Sequence, residues 1–234
     1  MINITDGKIG YKETLLYIGQ LEIAVGTLTA LIGKNGSGKS TFLKSLCGVI
    51  PILGGNFTIE NKAIGSITES ELSRMIAFVG STQVAIPYLS VTEYVLLGRS
   101  PYTGLLGRYH HTDFVAAEGA IELFNLSEKK DCGLTELSDG ERQLAAFARA
   151  FAQDTPVILM DEPTAFLDYG NKRTLLSILK KASQLSHKSV IISTHDLDLC
   201  VEEEIGIMGI DSRQNQMKHY PQGTTKEILL KEFF

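Results

Sequence analysis

Apolar runs alternate with segments of helical period along most of this chain. Ahead of residue 33 lie IGYKE, LLYIGQLEIAV and TLTALI, β-branched and apolar stretches broken by Gly10, Gly19 and Gly26, which predict short strands and turns. Helix-compatible FLKSLC comes next, then the turn-rich, strand-like PILGGNFTIENKAIG, then SITESELSRMIAFVG, which predicts a short helix before the strand MIAFV. From residue 84 to about 130 the pattern changes. Pro87, Pro101 and GLLGR precede the helical DFVAAEGAIELFNL, so a mostly helical lobe is expected after Gln83. Beyond it come a helix beginning just after Gly140 (QLAAFARAFAQ), the apolar strand VILM ending on Asp161 and Glu162, the helix NKRTLLSILKKASQL and the strand SVIIS running to His195. A last strand pair around IGIMGI and a terminal helix in TTKEILLKEFF complete the chain. Repeated strand–helix alternation predicts an α/β fold with a largely parallel sheet flanked by helices. Ligands of such sheets sit at the carboxyl ends of strands, where residues 33–41, the acidic pair and His195 all fall.

Composition narrows the class. With 234 residues, 44% of them hydrophobic, the chain can bury roughly 70–75% of its unfolded surface. That is enough for one substantial domain or two closely packed lobes, without staples. Cys47, Cys132 and Cys200 are scattered and lack metal-ligand spacing, which predicts small core residues of a reduced, cytosolic protein. The adjacent His110 and His111 have no second ligand pair nearby in sequence and are expected to face solvent. No apolar run approaches the roughly 20 residues needed to span a bilayer, and MINITDGKIG lacks the regions of a signal peptide. A formal charge of −5 argues against nucleic acid as the main partner.

The chemistry concentrates in GKNGSGKST, residues 33–41, set between an apolar strand and a helix. Gly33, Gly36 and Gly38 allow backbone amides to curl round a polyanion, Lys39 can reach the β and γ phosphates, and Ser40 offers a hydroxyl to Mg²⁺. The helix that follows turns its positive end toward the anion. In VILMDE, Asp161 can hold Mg²⁺ through water opposite Ser40, and Glu162 is placed to polarise an attacking water.

Taken together these motifs resemble the nucleotide-binding subunit of an ATP-binding cassette (ABC) transporter over nearly the whole chain. GKNGSGKS is similar to that family's Walker A, VILMDE to its Walker B, LSDGERQ to its signature, TAFLD to its D-loop and STHD to its switch histidine, in family order. The resemblance implies a P-loop NTPase core with a mostly parallel sheet, N-terminal antiparallel strands and an inserted helical lobe. A single domain is expected, with residues 1–83 and 151–234 as the catalytic core and 84–150 as the lobe. It implies ATP and Mg²⁺ as cofactors, held by Gly33, Asn35, Gly36, Gly38, Lys39, Ser40 and Thr41, with Tyr11 stacked on adenine. Ser40, Asp161 and Gln83 would serve the metal. Glu162 would be the base, His195 would contact the γ-phosphate, and Gln83 would relay closure to the helical lobe. A second copy would complete each site with Ser138 and Gly140, and Asp168 would lie at the seam between copies.

Two positions depart from the family pattern. The usual LSGGQ reads LSDGE here, and Asp139 is expected to point away from the phosphates, which its charge would repel. Gln83 sits after FVGST, slightly further from its strand than usual. The segments LLGRSPY, GLLGR and EPTAFLDYGNK resemble the ATPases of iron-siderophore, haem and cobalamin importers. Implied partners are therefore a polytopic permease, which would hold the subunit at the inner face of the cell membrane, and indirectly a substrate-binding protein. The rival reading, a soluble ABC protein acting on nucleic acid or ribosomes, usually brings tandem cassettes, coiled-coil insertions or basic arms. A GTPase is disfavoured because Asn61-Lys62 and Asn171-Lys172 lack the aspartate of an NKxD motif.

Overall fold

The computed structural model describes residues 1–81, 86–104, 106–165, 167–220, 224 and 226–233. Gln83 lies outside the described residues. In chain order the elements are β1 (Ile2–Gly10), β2 (Thr14–Ile23), β3 (Leu28–Ile32), α1 (Lys39–Leu46), β4 (Ile52–Ile59), β5 (Lys62–Ala63), α2 (Glu69–Leu72) and β6 (Ile76–Val79). After these come α3 (Val91–Leu96), α4 (His111–Leu123), α5 (Asp139–Ala152), β7 (Val157–Met160), α6 (Tyr169–Leu185) and β8 (Ser189–Thr194). Last are α7 (Leu197–Glu202), β9 (Gly206–Asp211), β10 (Gln216–Tyr220) and α8 (Lys226–Phe233). The N-terminal strands are nine and ten residues long rather than short. Antiparallel pairing runs from Ile2 opposite Ile23 to Gly10 opposite Thr14, with an irregularity between Ile9 and Gly10.

All ten strands join one sheet, ordered β5-β4-β1-β2-β10-β9-β3-β8-β7-β6. The run β9-β3-β8-β7-β6 is parallel, while β5-β4-β1-β2 is antiparallel. Strands β3, β7 and β8 are buried at every residue, which fits their continuous apolar sequences and their cover on both faces. Alternate residues feed two different cores. Ala30, Ile32, Ile158, Met160, Val190 and Ile192 face α3 to α6, whereas Leu31, Val157, Leu159 and Ile191 pack with Phe42 and Leu43 of α1 and with the antiparallel strands.

The α3–α5 region is fastened by Arg99, in a 3-10 turn over Leu97–Tyr102. Its buried guanidinium donates to Asp113 Oδ1 at 2.9 Å and to the Ala152 carbonyl at 2.9 Å, tying α4 to the end of α5. Gly98 lets this turn approach α5 closely, because a Cβ there would lie 2.2 Å from the Arg149 carbonyl oxygen. Tyr102 lies beneath Arg99, 4.0 Å from its ring centroid, and Arg74, just before β6, reaches the same ring and donates to the Pro101 carbonyl. His110 and His111 are exposed, as expected, at the start of α4.

Asp113 also accepts from the His110 amide at 2.8 Å. That bond, with Arg99 beside it, holds the carboxyl below its ordinary value of 3.8. A carboxyl lowered by folding stabilises the protein above its ordinary value and loses that contribution as pH falls through the lowered one. Arg99→Ala leaves the buried Asp113 carboxylate without its cation and should cost about 3–5 kcal/mol in urea unfolding. Arg99→Lys, a point charge without the planar fork, should recover only part of that loss.

Candidate functional site

The 33–41 loop leaves the end of β3 and turns into α1 through two left-handed glycines, Gly36 (φ +77°) and Gly38 (φ +104°). Only glycine takes these angles at little cost. The amides of Asn35, Gly36 and Gly38 donate to no backbone carbonyl among the described residues, and a Cβ on Gly36 would meet nothing within 4 Å. With the free first-turn amides of α1, in which Thr41 lies, they make an open cradle that fits an anion. Leu15 of β2 lies 3.4 Å from a Cβ built on Gly38, so the β1–β2 turn covers one side of the loop. Tyr11, in that turn, is 66% exposed and presents a free ring.

Five side chains, from the start of α1 and from just beyond the ends of β7 and β8, converge beside the cradle. Lys39 Nζ donates to the Gly33 carbonyl at 3.0 Å and lies 3.1 Å from His195 Nε2 and 3.8 Å from Glu162 Oε1. His195 Nε2 is also 2.9 Å from Glu162 Oε1. That single nitrogen can give a proton to the carboxylate or accept one from the ammonium, not both. Burial pulls the Lys39 pKa down, while Glu162 and Asp161 pull it up. Ser40 Oγ donates to Asp161 Oδ1 at 3.1 Å. This hydroxyl–carboxylate pair fits a small hard cation that keeps water and phosphate oxygens as its other ligands. No group of three or more His, Cys, Asp or Glu able to enclose a metal occurs among the described residues.

The backbone turns sharply after β7, with Glu162 at φ +53°, a conformation rare for a non-glycine residue. Sequence reading missed the groups that hold this turn. Ser193 Oγ donates to Asp161 Oδ1 at 2.6 Å and accepts from the Glu162 amide at 2.8 Å. Thr164 Oγ1 donates to Asp196 Oδ2 at 2.9 Å, Asp196 pairs with Lys172 at 2.7 Å, and Gln143 of α5 donates to the Pro163 carbonyl. Only the fold makes these residues neighbours.

Ser138 and Gly140 stand apart from this cluster, and among the described residues no hydrogen bond or ion pair of the same chain joins them to the 33–41 loop. The helix expected just after Gly140 starts earlier, at Asp139. Ser138 Oγ accepts from the Glu141 amide at 3.3 Å, while Glu141 Oε2 accepts from the Ser138 amide and hydroxyl, each at 2.8 Å. The signal was the Ser-x-x-Glu spacing of 138–141. Those two bonds hold the Glu141 carboxyl below its ordinary range. Asp139 is 98% exposed and pairs with Arg142 of its own helix. Gly140 has open space where its Cβ would be. Asp168 is the N-cap of α6, accepting from the Asn171 amide at 2.9 Å and the Asn171 side-chain amide at 2.8 Å.

Residues 19–165, more than half of the chain, match the family model described as ABC transporter. The chain belongs to the ABC transporter family. The petrobactin import ATP-binding protein of Bacillus anthracis is 31% identical over 227 residues, covering 97% of this chain and 83% of that protein. Among solved structures, an inward-facing one described as a metal-chelate type ABC transporter superposes with a TM-score of 0.82 at 27% identity, covering 99% of this chain and 88% of the other. A dimeric ATP-binding cassette in a post-hydrolysis state, bound to ADP and Pi, gives 0.76 at 26% identity, covering 94% and 98%.

In this ABC cassette Gly38 and Gly140 carry opposite expectations for folding. Gly38→Ala places a side chain at φ +104° and should destabilise the nucleotide-free subunit by about 1–2 kcal/mol. Gly140→Ala, in the first turn of α5 with space around it, should stabilise it by up to about 1 kcal/mol. Chemical denaturation of the two variants checks both signs.

Proposed function

We propose that this chain is the ATP-hydrolysing subunit of an ABC importer and powers uptake of a metal chelate of the siderophore class through a separate membrane permease. The observation that carries the hydrolytic part is the convergence of Lys39, Ser40, Asp161, Glu162 and His195 at the carboxyl ends of three adjacent parallel strands. The chelate class rests on similarity to the petrobactin import protein and to the metal-chelate type transporter.

The proposed roles follow from charge and reach. Lys39 offsets charge on the β and γ phosphates, while the cradle amides hold them. One ammonium cannot balance a triphosphate facing Asp161 and Glu162, so a divalent cation at Ser40 and Asp161 is required. Mg²⁺ would there neutralise charge that develops on the phosphate oxygens. Glu162 orients a water and takes its proton, and His195 exchanges its present contact with Glu162 for the terminal phosphate. Tyr11 stacks on the adenine ring, and Gln83 senses the cation and relays closure to the helical lobe proposed over residues 84–150.

Each site is proposed to be completed by a second copy. A glycine at position 140 gains nothing for its own helix, but it leaves room for a phosphate to approach the exposed amides of Asp139 and Gly140. Asp168 is proposed to lie at the seam between copies. No helix among the described residues is long and apolar enough to cross a membrane. The permease supplies the path, holds the subunit at the inner membrane face, and in turn receives cargo from a substrate-binding protein.

Glu162→Gln should lower steady-state ATP hydrolysis by about 10²–10⁴-fold with ATP affinity retained. Undiminished turnover in that variant removes Glu162 as the base. Gly140→Ala should lose hydrolysis while its fold is kept or strengthened, and normal turnover there would argue against a site completed in trans. Co-purification with a polytopic membrane protein tests the transporter assignment, and salt-sensitive retention of RNA or DNA would count against it.

A further inference from the structure

We propose that Ser193 is a positioning residue of the hydrolytic centre: its hydroxyl, tied to Asp161 Oδ1 and to the Glu162 amide, fixes the left-handed turn that carries the Glu162 carboxylate to Lys39 and His195. The proposal rests on the reading of Glu162 as the base.

Strand register brings these groups together. Met160 of β7 pairs with Ile192 of β8, so Ser193, the penultimate residue of β8, stands beside Asp161, the first residue after β7. Ser193 is fully buried, directly after the apolar Val190, Ile191 and Ile192. A hydroxyl at such a depth is costly unless its hydrogen and a lone pair are both used. Here both are used, and on consecutive residues. The short bond to Asp161, at 2.6 Å, is charge-assisted, and the same Oδ1 receives Ser40 at 3.1 Å. The Asp161 amide donates to the Val79 carbonyl at 2.9 Å, so the residue before the turn is anchored from the β6 side as well.

Position 162 is where the backbone leaves the strand direction. A glutamate at φ +53° sits in a region that costs about 1–2 kcal/mol for a residue with a Cβ, so the turn persists only if its surroundings hold it. The bond from the Glu162 amide to Ser193 Oγ is the restraint at that residue's own nitrogen. Alanine at 193 would remove it and would also take one donor from Asp161. The turn could then relax toward extended backbone, moving the Glu162 carboxylate away from Lys39 and His195, without disturbing the cradle amides of 33–41. Asp161 Oδ1 would keep the Ser40 hydroxyl as a donor, so Ser193 acts on the chemical step chiefly through Glu162 and leaves nucleotide binding to other groups.

The test uses the full-length subunit with Ser193→Ala, Ser193→Thr, Glu162→Gln and the Ser193→Ala/Glu162→Gln double variant. Ser193→Ala should lower kcat about 10- to 100-fold, with KM and the Kd for ATP within about twofold of wild type. In the nucleotide-free subunit the Glu162 amide should exchange with solvent faster by NMR. Ser193→Thr, which keeps the hydroxyl, should recover most of the turnover and the protection. Melting temperatures separate a folding defect from these effects. On the Glu162→Gln background, Ser193→Ala should cost little further in single-turnover hydrolysis, because a residue that acts through Glu162 has nothing left to position. Wild-type kcat in Ser193→Ala, or losses that add fully in the double variant, would overturn the proposal. Undiminished turnover in Glu162→Gln alone would instead remove the base assignment and is distinguishable from either result.

Discussion

The hydrogen-bond register of β3, β8 and β7 is the constraint on which the rest of the site depends. Ile32 pairs with Thr194 and Met160 with Ile192, so β3 and β8 end at one level and β7 ends two residues short of it. Every residue within them is buried. The charged groups Asp161, Glu162 and His195 stand just beyond the ends of β7 and β8. Because side chains alternate between faces, a slip of one residue in any of the three would exchange the residues that feed one core with those that feed the other and would shift the groups beyond the strand end.

This arrangement leaves an imbalance of charge. Lys39 is one buried ammonium facing two carboxylates and an imidazole, and burial works against its charged form while the carboxylates support it. Within a single chain the ammonium contacts loop carbonyls, a histidine and a glutamate at once, and His195 Nε2 cannot satisfy both of its neighbours. The partners of this ammonium can therefore be exchanged, as the proposed function requires. The segment 138–141 differs in kind. Its serine and glutamate are committed to the cap of α5, which leaves Gly140 and the first amides of that helix as its accessible features.

The segment LLGRSPY shows how a motif can have a packing meaning of its own. Gly98 permits close approach to α5, Arg99 neutralises a buried aspartate and caps the end of α5, and Tyr102 is held by arginines from two parts of the fold. Arg74 extends that fastening to the turn before β6, so the helices that carry residues 138–141 are linked to the sheet that carries Glu162. Gln143, donating to the Pro163 carbonyl, makes a second link close to the chemistry.

The sequence by itself determined the alternation of strands and helices, and it singled out the glycine loop of residues 33–41, the acidic pair and His195. These depend on local signals: apolar runs, glycines at fixed spacing and residue types that chemistry requires. The start of α5 was also written locally, in the spacing of Ser138 and Glu141, although the apolar pattern alone drew the boundary after Gly140. What only the tertiary structure decided are the contacts between strand ends. Ser193 is 32 residues from Asp161, and Thr164 is 32 residues from Asp196. No spacing rule joins them, because the partners depend on sheet order and register. The left-handed backbone of Glu162 was likewise invisible, since glutamate carries no sequence preference for it and neighbours imposed by the fold hold it there.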